Sequence, residues 1–422
     1  MDKVFVRFPK EVAHFDAAPA VGISGHGPSA YYSQNDGRLI VTSLTADQHQ
    51  DALAAGAQVY PDIQFHPASG QQAIEVPQRL RFWEDLNGVG PAAPQLWQTT
   101  GLSDVLGSIS VNDAWKVTRG EGVTIVVVDS GIDAGALEFP EVRRSPLSLS
   151  IAFPEDGPWV DGLGHGSMMA AIAAGSGEGM GRYDGVAPGS MLLSARTNYR
   201  ATDLYTIYDR LISLKKSGAL SGPIVVNNSY AVSACISDAK LPEDHPYAEI
   251  ARSVVATGIP MCFAAGNNHA DMLCGNPGTA SAPNTIWAVN SIDDMLTVGA
   301  VNWDLSNSVG AHANSSRGPG EWAKEFLKPD LVAPCYGEVL WGRAYRKMEW
   351  WGTSGSTAIV SGVAALVLSA AYKAGTILAP QQLGDILRRT CDNAGAPASA
   401  VGHGVVNAKA AVDAALKIVT GG

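Results

Sequence analysis

The chain has 422 residues, 46% of them hydrophobic, which is enough apolar material for one large core and a smaller unit beside it. Its net charge of −11, from 29 basic against 40 acidic side chains with no lysine or arginine run, excludes a phosphate-neutralising surface, so no nucleic-acid partner is expected. Five cysteines (Cys235, Cys262, Cys274, Cys335 and Cys391) are widely spaced, odd in number and without metal-type pairing, so a disulfide framework is not implied.

The first residues lack the basic and apolar regions of an export signal, and no apolar run is read as approaching membrane-spanning length, so a cytoplasmic protein without a membrane partner is expected. Residues 1–66 read as a small α+β unit. Val4 to Phe8 and Leu39 to Leu44 are β-branched or aromatic runs, and Thr45 followed by Gln48 has capping-box spacing ahead of a helix that Gly56 stops. Gln58 to Tyr60 is the returning strand. Residues 17–36 are rich in Gly, Ala and Ser and do not read as a helix. Residues 67–108, with Pro77, Pro91 and Pro94, read as a linker.

From residue 109 to residue 422, strands alternate with helices. Val123–Val128, Met191–Ala195, Ile224–Asn228, Pro260–Ala265 and Thr297–Val301 are expected strands, with helices such as Asp203–Ser217 and Pro246–Thr257 between them. That rhythm predicts a parallel sheet covered by helices on both faces, with ligands bound beyond the carboxyl ends of the strands. Three element ends carry chemistry. The strand ending at Asp129 runs into Ser130-Gly131; His165 lies between Gly164 and Gly166 before a small-residue helix; Ser354 lies in Gly352-Thr353-Ser354-Gly355-Ser356 at the head of an apolar helix. Each has a plain alternative: a turn-capping acid, a core histidine and an N-cap serine.

Together these motifs, in this order, resemble the signatures of the subtilase family of serine peptidases, and Phe263-Ala264-Ala265-Gly266-Asn267 is similar to that family's oxyanion motif. The resemblance runs from about residue 110 to about residue 416. It implies a subtilisin-like α/β fold and an endopeptidase with protein or peptide substrates. Asp129, His165 and Ser354 would be the triad, and the Asn267 side chain would join the oxyanion site. Ser229, Tyr230, Ala231 and Gly266 would bind substrate, with Ala231 standing where the family usually has glycine and so narrowing the first specificity pocket. After Ser354 the usual proline is missing, which predicts a looser first helical turn. Within residues 1–66, the strand, helix, strand run that ends in residues 61–66 is similar to the second half of a subtilase pro-domain, whereas residues 17–36 depart from its first half; the resemblance implies an intramolecular inhibitor. No cofactor is expected. Calcium, which some families of this fold bind in loops, is left open, because the acids form no ligand-spaced cluster and Asp293-Asp294 reads as a solvated turn. Two alternatives stand beside the peptidase: a catalytically silent peptide-binding scaffold of the same fold, and a carboxyl-type relative, against which His165 argues.

Overall fold

A computed structural model describes residues 3–10, 30–67, 101–177, 181–232, 241–269, 284–301, 310–325, 327–348 and 350–420. The N-terminal unit consists of β1 (Lys3–Arg7), β2 (Tyr31–Tyr32), β3 (Leu39–Ser43), α1 (Ala46–Ala54) and β4 (Gln58–Pro61). These strands form an antiparallel sheet in the order β2-β3-β1-β4. The capping box is present: Gln48 N donates to Thr45 Oγ1 (3.2 Å) and Thr45 N to Gln48 Oε1 (3.0 Å). Residues 11–29 lie outside the described residues, and with them most of the stretch 17–36 read as non-helical.

The chain then forms β5 (His66–Pro67), α2 (Leu102–Ser108), α3 (Val111–Ala114), β6 (Thr124–Asp129), β7 (Leu149–Ser150), α4 (His165–Ala174), β8 (Met191–Arg196), α5 (Ala201–Lys216), β9 (Ile224–Asn228) and β10 (Tyr230–Ala231). Beyond these come α6 (Pro246–Ala256), β11 (Met261–Ala264), β12 (Leu296–Val301), β13 (Leu331–Pro334), β14 (Gly337–Trp341), β15 (Ala344–Met348), α7 (Gly352–Lys373), α8 (Pro380–Arg389), α9 (Ala398–Val401) and α10 (Ala408–Thr420). Seven parallel strands make the main sheet in the order β13-β12-β11-β9-β6-β8-β7. Chain order reverses at β6, between β8 and β9, which opens a crevice above the carboxyl end of β6.

Strand alternation divides the core. Ile125 and Val127 point to the face covered by α4, α7 and α10, whereas Val126 and Val128 point to the face covered by α5 and α6. The second core continues into the N-terminal unit: Phe5, Leu39, Val41 and Tyr60 pack with Leu204, Tyr208 and Ala251. Among the described residues, Val6, Phe8, Ile40, Ala52 and Ala57 form a small core of the unit's own, under α1. The small sheet is therefore sandwiched between α1 and the α5–α6 surface. Helix α2 lies inside the segment read as a linker, yet Leu102, Val105 and Leu106 sit in the main core, so the linker ends before residue 102. Helix α7 corrects a second expectation. It is apolar and long enough to cross a membrane, with a mean hydropathy of 1.6 over its best window, but that window is wholly buried inside the protein.

One ion pair is shut inside this core. Lys328 Nζ donates to Asp330 Oδ2 (2.7 Å) and to the Met295 carbonyl (2.6 Å); Asp330 also accepts from Thr297 N (2.7 Å) and Arg388 Nε (2.8 Å). Burial pulls the Lys328 ammonium below the usual lysine range, and Asp330 opposes that pull. Asp330→Ala would strand this cation. The expected loss is about 3–5 kcal/mol of stability, read as a lower urea midpoint at unchanged slope.

Candidate active site

Asp129 is the last residue of β6 and fully buried. Its Oδ1 accepts from Ser130 N (2.8 Å), His165 Nδ1 (2.7 Å) and Tyr199 Oη (2.7 Å). Because a carboxylate oxygen only accepts, the bond to His165 places the ring proton on Nδ1 and leaves Nε2 as the acceptor. Among the described residues nothing hydrogen-bonds that Nε2, although it is buried.

His165 opens α4, and the loop before it is tied down by Asp161. Asp161 Oδ1 accepts from Gly164 N (2.8 Å), Leu163 N (3.0 Å) and Ser130 Oγ (2.8 Å), and Oδ2 accepts from Ser167 N (2.8 Å). Ser130 Oγ in turn receives Gly166 N (2.9 Å). The helix comes so close to the turn after β6 that a Cβ on Gly166 would lie 2.0 Å from the Gly131 carbonyl oxygen, which explains the glycine after the histidine.

Ser354 lies in the first turn of α7, which packs against α4, so both side chains come from the N-terminal ends of neighbouring helices. Its hydroxyl donates to the Ser229 carbonyl (3.0 Å), and Ser229 Oγ donates back to the Ser354 carbonyl (3.0 Å). Asp129 and His165 are thus brought into contact, while the Ser354 hydroxyl is turned onto the substrate-strand candidate instead of onto His165. The neighbouring hydroxyls are occupied by carbonyls. Ser356 Oγ donates to Ala333 O (2.8 Å) and Thr357 Oγ1 to Thr353 O (2.7 Å). These bonds hold the first turn that the missing proline would otherwise stiffen.

Asn267 follows β11. Its Oδ1 accepts from Thr353 N (3.0 Å) and Thr353 Oγ1 (2.9 Å), and only the amide oxygen can take the backbone N–H, so the orientation of the side chain is set. Gly266 N donates to Thr353 Oγ1 (3.2 Å). Thr353, Asp161, Ser130 and Tyr199 were missed as supporting residues. Thr353 stands inside a quoted motif and was discoverable there; Tyr199 carries no motif signal.

The chain's own residues fill the groove beside these side chains. β5 pairs antiparallel with β10, with Ala231 opposite His66 and Tyr230 opposite Pro67. On the other edge Phe65 N donates to Tyr199 O (2.8 Å) and Ala201 N to Ile63 O (2.8 Å). The Phe65 ring is buried against Tyr230 and Tyr247 at centroid distances of 5.7 and 4.8 Å. Tyr230 is itself fully buried, its hydroxyl bonded to those of Tyr208 and Tyr247. The Ala231 methyl faces Gly266, where a Cβ would stand 3.4 Å from it, so these two walls nearly meet. Asp293 is occupied by the Lys324 and Glu325 amides (3.0 and 2.9 Å), and among the described residues no three His, Cys, Asp or Glu side chains cluster as metal ligands.

The structure sets a buried acid–imidazole pair above the switch point of a parallel sheet, with a serine in the first turn of the helix packed against the one His165 opens. The subtilase family model matches residues 120–404, and the chain belongs to that family of subtilisin-like serine hydrolases. Serine protease AprX of Bacillus subtilis (strain 168) is 26% identical over 323 residues, covering 70% of this chain and 67% of the relative. Subtilisin-like protease 2 of Trichophyton rubrum is 27% identical over 359 residues, covering 84% and 72%. Among solved structures, fervidolysin from Fervidobacterium pennivorans, a keratinolytic enzyme related to subtilisin, superposes with a TM-score of 0.67 at 18% identity over 98% of this chain and 61% of its own. MycP1 with its N-terminal propeptide removed gives 0.54 at 23% identity, over 73% of this chain and 96% of its own. Both share the fold.

Proposed function

We propose that the chain is a serine endopeptidase held silent by its own N-terminal unit. The observation that carries this reading is the 2.7 Å bond from His165 Nδ1 to Asp129, with Nε2 left without a hydrogen-bond partner among the described residues, on a helix that packs against the one bearing Ser354 in its first turn. The Ser354 hydroxyl would turn from the Ser229 carbonyl to His165, lose its proton there and attack a peptide carbonyl. Asn267 and the Ser354 amide would receive the oxyanion, at a helix end where partial positive charge favours it. His165 would then hand the proton to the leaving amine, and water would repeat the cycle on the acyl-enzyme.

The N-terminal unit fits the role of inhibitor because its tail lies where an extended substrate would pair with Tyr230 and Ala231. A substrate would compete with His66 and Pro67 for these positions. The approach of Ala231 to Gly266 favours a small side chain before the scissile bond.

Fluorophosphonate labelling tests the reading. Uptake by the wild-type chain, directly or after limited proteolysis within residues 1–100, together with no uptake by Ser354→Ala, is the expected result. A trimmed wild type that takes up no label would sink it and favour the catalytically silent peptide-binding alternative.

A further inference from the structure

Tyr199 follows β8 with a positive φ of 64°, which is rare for a bulky residue. It is almost fully buried, and its two polar ends point to two parts of the site. The phenol donates to Asp129 Oδ1 (2.7 Å), the same oxygen that holds His165 Nδ1, while Asp129 Oδ2 has no partner among the described residues. The main-chain carbonyl accepts from Phe65 N (2.8 Å), the amide of the strand lying in the groove. The turn is anchored by Tyr199 N on Thr197 Oγ1 (2.9 Å) and by Thr197 N on the Asp129 carbonyl (2.8 Å).

We infer that Tyr199 is a positioning residue for the proposed triad: its phenol orients the Asp129 carboxylate, and its carbonyl ties that orientation to an extended chain occupying the groove. The inference rests on the peptidase reading above. A hydroxyl donating to the oxygen that receives His165 takes up part of its negative charge and fixes which lone pair faces the ring. Burial, and next the Asp129 charge, push the phenol well above its usual range, so it remains a donor at every working pH. The other charged groups at this corner are Asp161, bonded to Ser130 Oγ, and Arg196 at the end of β8, paired with Asp156 (3.2 Å). Neither hydrogen-bonds the Asp129 side chain.

Tyr199→Phe keeps the ring and removes one bond. With a peptide long enough to reach the Tyr199 carbonyl, kcat is expected to fall about tenfold with KM little changed, the scale of one charge-assisted hydrogen bond. The acid limb of kcat/KM should move to higher pH, because the Asp129 carboxylate then keeps more of its charge for the protonated base. Peptides too short to reach that carbonyl should lose less. A second variant changes the donor without changing the shape: 3-fluorotyrosine in place of Tyr199 is a stronger donor and should move the same limb to lower pH. If both folded variants keep the wild-type kcat and pH profile, or if Tyr199→Phe changes only KM, the positioning role is overturned. Should Tyr199→Phe not fold, the direction of the fluorotyrosine shift decides alone. Wild type labelled by fluorophosphonate at Ser354 beside such unchanged variants sinks this inference only; wild type that is never labelled sinks the reading beneath it.

Discussion

His165→Ala is expected to lower kcat for peptide hydrolysis by about a millionfold, and Asp129→Asn by about ten-thousandfold, the scales on which serine-protease triads respond when one member is removed or its tautomer reversed. The two losses differ because the residues do different work. Without His165 no group is placed to take the Ser354 proton, and what remains is binding plus oxyanion stabilisation. In Asp129→Asn the imidazole keeps its place, but an amide whose NH2 faces Nδ1 would force the ring proton onto Nε2, where a base is needed. Gly166 and Asp161 act before either: they fix the start of α4 against the turn after β6, so the ring is aimed before substrate arrives. Steady-state kinetics on trimmed enzyme, with Ser354→Ala as the floor, measures both. An Asp129→Asn variant within tenfold of wild type would show that the 2.7 Å contact is structural.

How much of this was legible in the sequence depends on how local each feature is. The main strands are buried on both faces, so their Val- and Ile-rich runs stand out, and observed β6, β8 and β9 fall within a residue of the expected spans. The capping box at Thr45 needs only four residues and was equally readable. Helix α2 was lost to its surroundings: Leu102, Val105 and Leu106 have helical spacing, but only seven residues of it follow a Pro-rich stretch. Tyr199 and His245 could not be read at all. Each gains its role from partners 70 and 184 residues away, Asp129 and Pro61, and no spacing rule connects them. The shared core of the N-terminal unit was hidden for a related reason, since alternation within β1 shows two apolar faces without saying what covers either.

Acid should loosen the docking of the N-terminal unit through His245. This residue, fully buried between the rings of Phe5 and Tyr60, accepts from Tyr247 N at Nδ1 (3.1 Å), so its proton sits on Nε2 and donates to the Pro61 carbonyl (3.0 Å). Both nitrogens are committed in the neutral ring. Burial depresses its pKa to about 4, Arg7 adding to the effect and Asp244 and the Pro61 bond opposing it. Undocking returns the ring to water and an ordinary value near 6.5. The undocked state therefore binds the extra proton between pH 6.5 and 4, so docking is strongest above 6.5 and weakens as pH falls through that window, by about a hundredfold at pH 4.5. Asp62, which accepts Thr202 N (3.0 Å) at the head of α5, and Asp203, paired with Lys3, are raised by burial and work in the opposite sense. The contribution of His245 is isolated by His245→Gln, which can donate to Pro61 and accept from Tyr247 without titrating. Hydrogen exchange of the amides in residues 63–67, corrected for intrinsic rates, should lose about a hundredfold more protection in wild type than in His245→Gln between pH 7.5 and 4.5. Equal losses in the two proteins would rule out His245 as the source of the acid sensitivity.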